Sequence, residues 1–169
     1  MLRFAIATIL CLAAAAGSLT HIAAADDSDL WQRTDKKGVK SGSVTTGVND
    51  VVAIACPAET PEAKPRLIVH IQALQNGFYD GKTKYNLRFA MNDYRQDFAM
   101  STLNGNFIFE AADFNQRLQF QDFVDHLRAA DTAGEQRAQL SFFTLGWRGD
   151  IPLAGAAKVL DGLMDGCGQ

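Results

Sequence analysis

Cys56 and Cys167 constrain this chain more than any motif in it: the first ends an apolar run, and the second is the third residue from the C-terminus. The third cysteine, Cys11, falls in a segment that reads as a leader. In "MLRFAIATILCLAAAAGSLTHIAAADD", Arg3 supplies a positive start, Phe4 to Ala16 an uncharged apolar stretch, and Ala23-Ala24-Ala25 a small-residue cleavage site before Asp26. The apolar run is shorter than the ~20 residues a membrane span needs. Residues 1–25 are therefore expected to be a secretory signal peptide cleaved after Ala25. Residues 26–169 then form one soluble periplasmic or secreted domain with two cysteines. In an oxidising compartment such a pair forms a disulfide. No CxxC is present and no histidine stands at ligand spacing near either cysteine, so the bridge reads as structural and not as a metal or redox site. It would close 111 positions (167 less 56) into one loop, which the loop-entropy model values at about 4–5 kcal/mol.

Between the cysteines the pattern is mostly that of strands. After a polar stretch with Trp31 as its one large apolar anchor, a short strand is expected near Leu30 to Arg33, followed by a loop broken by Gly38, Gly42 and Gly47. "VVAIAC" (Val51 to Cys56) is an apolar run of strand length. A proline-rich connection follows it. In "RLIVHIQAL", Leu67, Val69, Ile71 and Ala73 share one face; in the next strand Tyr85, Leu87, Phe89 and Met91 do. Asn104-Gly105, between β-rich runs, predicts a hairpin of Gln96 to Leu103 with Asn106 to Glu110. Helical spacing appears at Phe120, Phe123, Val124 and Leu127, and again from Ala154 to Gly166, where Ala156, Val159, Leu160, Leu163 and Met164 form a stripe. The expected fold is mainly β (α+β): an antiparallel β-sandwich with a short helix, a C-terminal helix and one disulfide. That terminal helix is expected to lie on the strand Val51 to Ala55.

Little in the chain carries chemistry. The mature segment has 15 Lys and Arg (the 16 of the whole chain less Arg3) against 19 Asp and Glu, so no basic excess favours nucleic acid. There is no G-x-S-x-G, no H-E-x-x-H and no P-loop. No catalytic, cofactor-binding or metal residue is assigned, no cofactor is expected, and the chain reads as non-enzymatic. His70 and His126 read as surface or boundary residues. Asp80, Asp93 and Asp97 could line an acidic patch, though "YDG" and "MND" are turn sequences first. Arg148-Gly149-Asp150 is likewise expected in a turn. The candidate binding surface is aromatic: Phe78, Tyr79 and Trp147.

The order of these features is a tryptophan near the mature N-terminus, "VVAIAC", "LIVHIQAL", "YNLRFAM", "FAMSTLNGNFIF", "FVDHL", "IPLAGAAKVLDGL" and a final cysteine. It resembles the VasI/TagO-like family of small periplasmic proteins associated with type VI secretion. Ala55 stands where that family often has arginine, and Met91-Asn92-Asp93 where it usually has Asp-Gly. The resemblance implies a disulfide-tied β-sandwich with a C-terminal helix and no catalytic residues. The expected role is thus a periplasmic accessory or binding protein, whose partner is an envelope or secretion-system protein or a cell-wall component. The alternatives are a small enzyme inhibitor of the lysozyme-inhibitor kind, presenting Asp80 or Asp93, and a hydrolase using His70 or His126 should either share a cleft with a carboxylate or hydroxyl.

Overall fold

A computed structural model describes residues 29–36, 38–46, 48–57, 64–77, 81–165 and 167; the leader, the proline-rich connection from 58 to 63, and Phe78, Tyr79 and Asp80 lie outside them. The alternation read from the sequence produces a mainly β fold of nine strands among the described residues: β1 (Gln32–Lys36), β2 (Val39–Thr45), β3 (Val51–Pro57), β4 (Arg66–His70), β5 (Tyr85–Met91), β6 (Tyr94–Leu103), β7 (Asn106–Glu110), β8 (Arg137–Phe142) and β9 (Trp147–Pro152). They form one antiparallel sheet in the order β1-β2-β3-β4-β7-β6-β5-β8-β9. The long β6 joins its halves, pairing with β5 through residues 94–100 and with β7 through 101–103. Phe107 on β7 lies 4.5 Å from Phe142 on β8, ring centre to ring centre, although β6 and β5 separate the two strands. A flat sheet would hold them ~14 Å apart, three strand spacings, so the sheet is bent sharply over its own core.

Two hairpins set the register of the centre. Met91 pairs with Tyr94 across Asn92-Asp93, and Leu103 with Asn106 across Asn104-Gly105. Asn92, Asn104 and Gly105 all have positive φ (45°, 50° and 75°), the conformation that asparagine and glycine adopt most readily.

The helix after β7 is the longer of the two. α1 (Phe114–Thr132) begins at a capping box in which the Asp113 carboxylate accepts from the Gln116 N–H at 2.8 Å and the Gln116 side chain returns the bond. Its inner stripe, Phe120, Phe123, Val124, Leu127 and Ala130, is buried. Phe98 of β6 is the hub of that packing, with Phe109, Phe120, Phe123 and Phe89 around it at centroid distances of 4.9 to 6.3 Å.

Several expectations are corrected. The first strand is Gln32–Lys36, and the glycine-containing loop after it is β2. Gly42 does not break that strand; it makes room. A Cβ there would sit 2.8 Å from Leu160 Cδ2 and 2.9 Å from Val159 Cγ1. β4 stops at His70, and Ala73 belongs to an exposed 3₁₀ turn. Arg148-Gly149-Asp150 lies within β9; the turn before it is Phe143 to Gly146, where Gly146 takes φ 63°. The C-terminal helix, α2 (Ala156–Leu160), spans five residues, and it packs on α1, β1 and β2 instead of on β3. Side chains from those elements hold it: Asp131 accepts from the Ala157 N–H at 2.8 Å, and Arg33 donates to the Asp161 carbonyl at 2.9 Å. Leu160 and Leu163 are buried while Lys158, Asp161 and Asp165 face water. Cys167 then reaches Cys56 on β3, and the disulfide is formed with the Cα atoms 5.6 Å apart.

Candidate functional site

β9 is an edge strand, and its outer edge borders the larger of two clefts that matter for function. Leu153 N–H donates to the Gln136 carbonyl at 3.0 Å, which identifies Gln136 and Leu153 as a hydrogen-bonded pair. Such pairs alternate in an antiparallel ladder, so Trp147, Gly149 and Ile151 direct their peptide groups toward β8, and Arg148, Asp150 and Pro152 direct theirs outward. Two observations agree with that parity. Pro152 has no N–H to lose, as an outward position on an edge strand requires, and its carbonyl accepts the Trp31 indole N–H at 2.9 Å. Trp31 also donates its backbone N–H to the Ala154 carbonyl at 3.1 Å, closing this end of the sheet.

Beyond Asp150 toward the start of β9 no described residue pairs with the edge. It faces a groove of about 650 Å³ whose far wall is the β2–β3 loop, through Thr46, Val48 and Asp50, together with Gln72 and Ala73. That wall is internally bonded: Thr46 N–H donates to the Asp50 carbonyl at 2.8 Å, and the Asp50 carboxylate accepts from the Gln72 N–H at 2.8 Å. Asp29, Arg137, Arg148 and Asp150 place charges of both signs around the opening. Of the three aromatic candidates, Trp147 lines this groove while Phe78 and Tyr79 lie outside the described residues. Trp147 is half-buried, with its ring 6.2 Å from that of Phe142 and folded over Gly149, where a Cβ would meet the indole at 2.7 Å. Its inner face is therefore packed, and only the rest of the ring can meet a ligand.

The second cleft, about 470 Å³, lies between the β5–β6 turn and the C-terminal half of α1. Ala129, Ala130, Ala133 and Met91 form its apolar floor, and Asn92, Asp93, Tyr94, His126 and Glu135 its polar lining. His126 stacks on Tyr94 at 3.8 Å, with 15° between the ring planes. Its Nδ1 lies 2.8 Å from the Asp122 carbonyl, which only accepts, so Nδ1 carries a proton; in the neutral imidazole the lone pair is then on Nε2. The Tyr94 hydroxyl donates to the Asp122 carboxylate at 3.2 Å. Burial, with the Asp122 charge and that hydrogen bond added, pushes the Tyr94 phenol well above its usual range. A group whose folded pKa is raised contributes stability that is complete below the unfolded pKa and lost as pH rises past it. Wild type should lose stability above about pH 10, where a free tyrosine ionises, and Tyr94→Phe should flatten that loss in urea unfolding curves taken across the alkaline range.

The remaining candidates are not brought together. The His70 Nδ1 lies 3.1 Å from both Asn106 Oδ1 and Gln75 Nε2, and the Gln75 amide donates to the Gly105 carbonyl at 3.1 Å. His70 thus braces the Asn104-Gly105 hairpin. Asp93 is exposed at the β5–β6 turn, whereas Asp97 is held by Arg88 through two 2.7 Å bonds, so these carboxylates form no common patch. The hydrogen bond from Arg88 lowers the Asp97 pKa, with desolvation opposing it and the Arg88 charge adding to it. Among the described residues no group of three or more His, Cys, Asp or Glu side chains could hold a metal ion. Sequence reading missed the open edge, although Pro152 within a strand was a usable signal for it. The chain matches no protein-family model, and no curated protein or solved structure proves similar to it.

Proposed function

We propose that this is a non-enzymatic binding or accessory protein of the periplasm or the secreted space, and that the groove beside β9 receives its partner. The observation that carries this reading is an open groove, mixed in polarity and ringed by charges of both signs, whose far wall is braced by its own hydrogen bonds, so the site needs little ordering before it binds. The leader-like residues 1–25 and the Cys56–Cys167 bridge support the compartment. The order of strands, helices and cysteines that resembles the VasI/TagO-like family points to an envelope or secretion-system protein, or a cell-wall component, as the partner. Site-specific photo-cross-linking in the native host tests it: a photoreactive phenylalanine at Gln72, in the groove wall, should give a discrete envelope adduct, while one at the exposed Lys158 should not. Equal labelling from both positions, or none from Gln72, would remove the groove as the binding site.

One observation favours a second reading. His126 shares its cleft with a hydroxyl, Tyr94, and with the carboxylates Asp93 and Glu135, and its Nδ1 is held by the Asp122 carbonyl. Hydrolysis of chromogenic esters or glycosides that His126→Gln abolishes would establish it, and turnover unchanged by that substitution would eliminate it.

A further inference from the structure

We infer that the occupant of the β9 groove is an extended polypeptide segment that adds to the sheet as a further strand; this rests on the binding reading above and names the partner's chemistry. Arg148 and Asp150 turn four backbone groups outward, two N–H donors and two carbonyl acceptors, and none of them has a hydrogen-bond partner among the described residues. The unmet ladder stops at Pro152, which has no donor and whose carbonyl is already taken by Trp31. Unpaired edge groups of this kind are the template for strand addition, in which main-chain bonds supply the attraction and side chains the selection.

The charges narrow the partner. Arg148 and Asp150 project from the same, exposed face of β9, two residues apart, and neither side chain forms an ion pair among the described residues. Directly opposed residues on paired strands stabilise one another when their charges are opposite. A strand running antiparallel to β9 would meet Asp150 first and Arg148 two residues later. Its complementary sequence, read from its N-terminus, is therefore basic-x-acidic in an otherwise uncharged, extended segment. The far wall at Thr46 and Asp50 leaves a groove, not an open shelf, which suits one strand better than the sheet of a second copy.

The test selects peptides from a phage-displayed random dodecamer library on the immobilised chain and follows backbone hydrogen exchange by NMR. Selected peptides should carry the basic-x-acidic alternation and slow exchange of the Arg148 and Asp150 amides by about tenfold or more, leaving other surface amides unchanged. Asp150→Pro removes one outward N–H, as Pro152 does naturally, and leaves the bonds to β8 intact; it should weaken the peptides about tenfold or more while the thermal midpoint stays near that of wild type. Asp150→Asn, which keeps the N–H, should retain most of the affinity. Peptides that bind without protecting these two amides, or that bind Asp150→Pro as tightly, would overturn strand addition. So would a wild-type dimer that Asp150→Pro dissociates, since the edge would then belong to a second copy. Gln72 photo-adducts that persist in Asp150→Pro would keep the groove as the binding site while removing this mode of binding.

Discussion

Truncation after Ala154 should yield a chain that aggregates on expression, whereas Cys167→Ser should yield a folded monomer of lower stability. Both variants lose the Cys56–Cys167 bridge. Its loss alone costs about 4–5 kcal/mol in the loop-entropy model, equivalent to roughly 10–15 °C in thermal midpoint for a domain of this size. The truncation also removes Ala156, Leu160 and Leu163, which are fully buried, and the half-buried Val159 and Met164. Each large apolar side chain withdrawn from the core costs about 1.5–3 kcal/mol, so the combined loss approaches the 5–15 kcal/mol that keeps an ordinary domain folded. The vacated surface is apolar and includes the β2 face at Gly42, which has no side chain of its own to cover it. Circular dichroism melts and size-exclusion chromatography of the two variants, with wild type in dithiothreitol alongside Cys167→Ser, check both statements. A wild-type melt indifferent to reductant would contradict the expectation for Cys167→Ser. A soluble, cooperatively folding truncation would contradict the expectation of aggregation.

Phe98→Ala should destabilise the protein by about 3–5 kcal/mol, among the largest effects of any single core substitution. Phe98 is 1% exposed and touches rings from β5, β7 and α1, so truncating it opens a cavity where both halves of the sheet meet the helix. The neighbouring rings are themselves anchored on different elements, which limits how far they can collapse into the void. Phe114→Ala provides the contrast. Phe114 is 66% exposed at the first turn of α1, and its loss should change stability by no more than about 0.5 kcal/mol. Urea unfolding with an unchanged slope measures both, and similar midpoints for the two variants would show that Phe98 is not the hub its contacts describe.

What the sequence made legible is whatever depends on local chemistry. Asn104-Gly105 needs only its own backbone preferences to specify a hairpin, and the stripe from Phe120 to Leu127 needs only its spacing to specify a helix face. The missed elements depend on residues far along the chain. β2 reads as a loop because Gly42 and its polar neighbours look like turn chemistry, yet Gly42 is small because Leu160 and Val159 lie against it. Gly149 invited a turn for the same reason, and it sits in a strand because the Trp147 indole covers it. α2 was overextended because the apolar stripe past Leu160 continues into turns that still bury Leu163. The candidate groove was harder to see. Its walls come from Thr46, Val48, Asp50, Gln72 and Ala73 on one side and residues 147–150 on the other, segments far apart in the chain. Trp147 could be singled out by type, but the open peptide groups beside it belong to no residue type at all.

The bridge also has a covalent consequence. Residues 56 through 167 form a closed covalent ring. A protease that cuts any one peptide bond inside the ring turns it into two fragments that stay attached through sulfur, and the cut ends remain close enough to hold their places in the sheet. A single nick in the connection between β3 and β4, or in the turn before β5, should therefore be invisible until the disulfide is reduced.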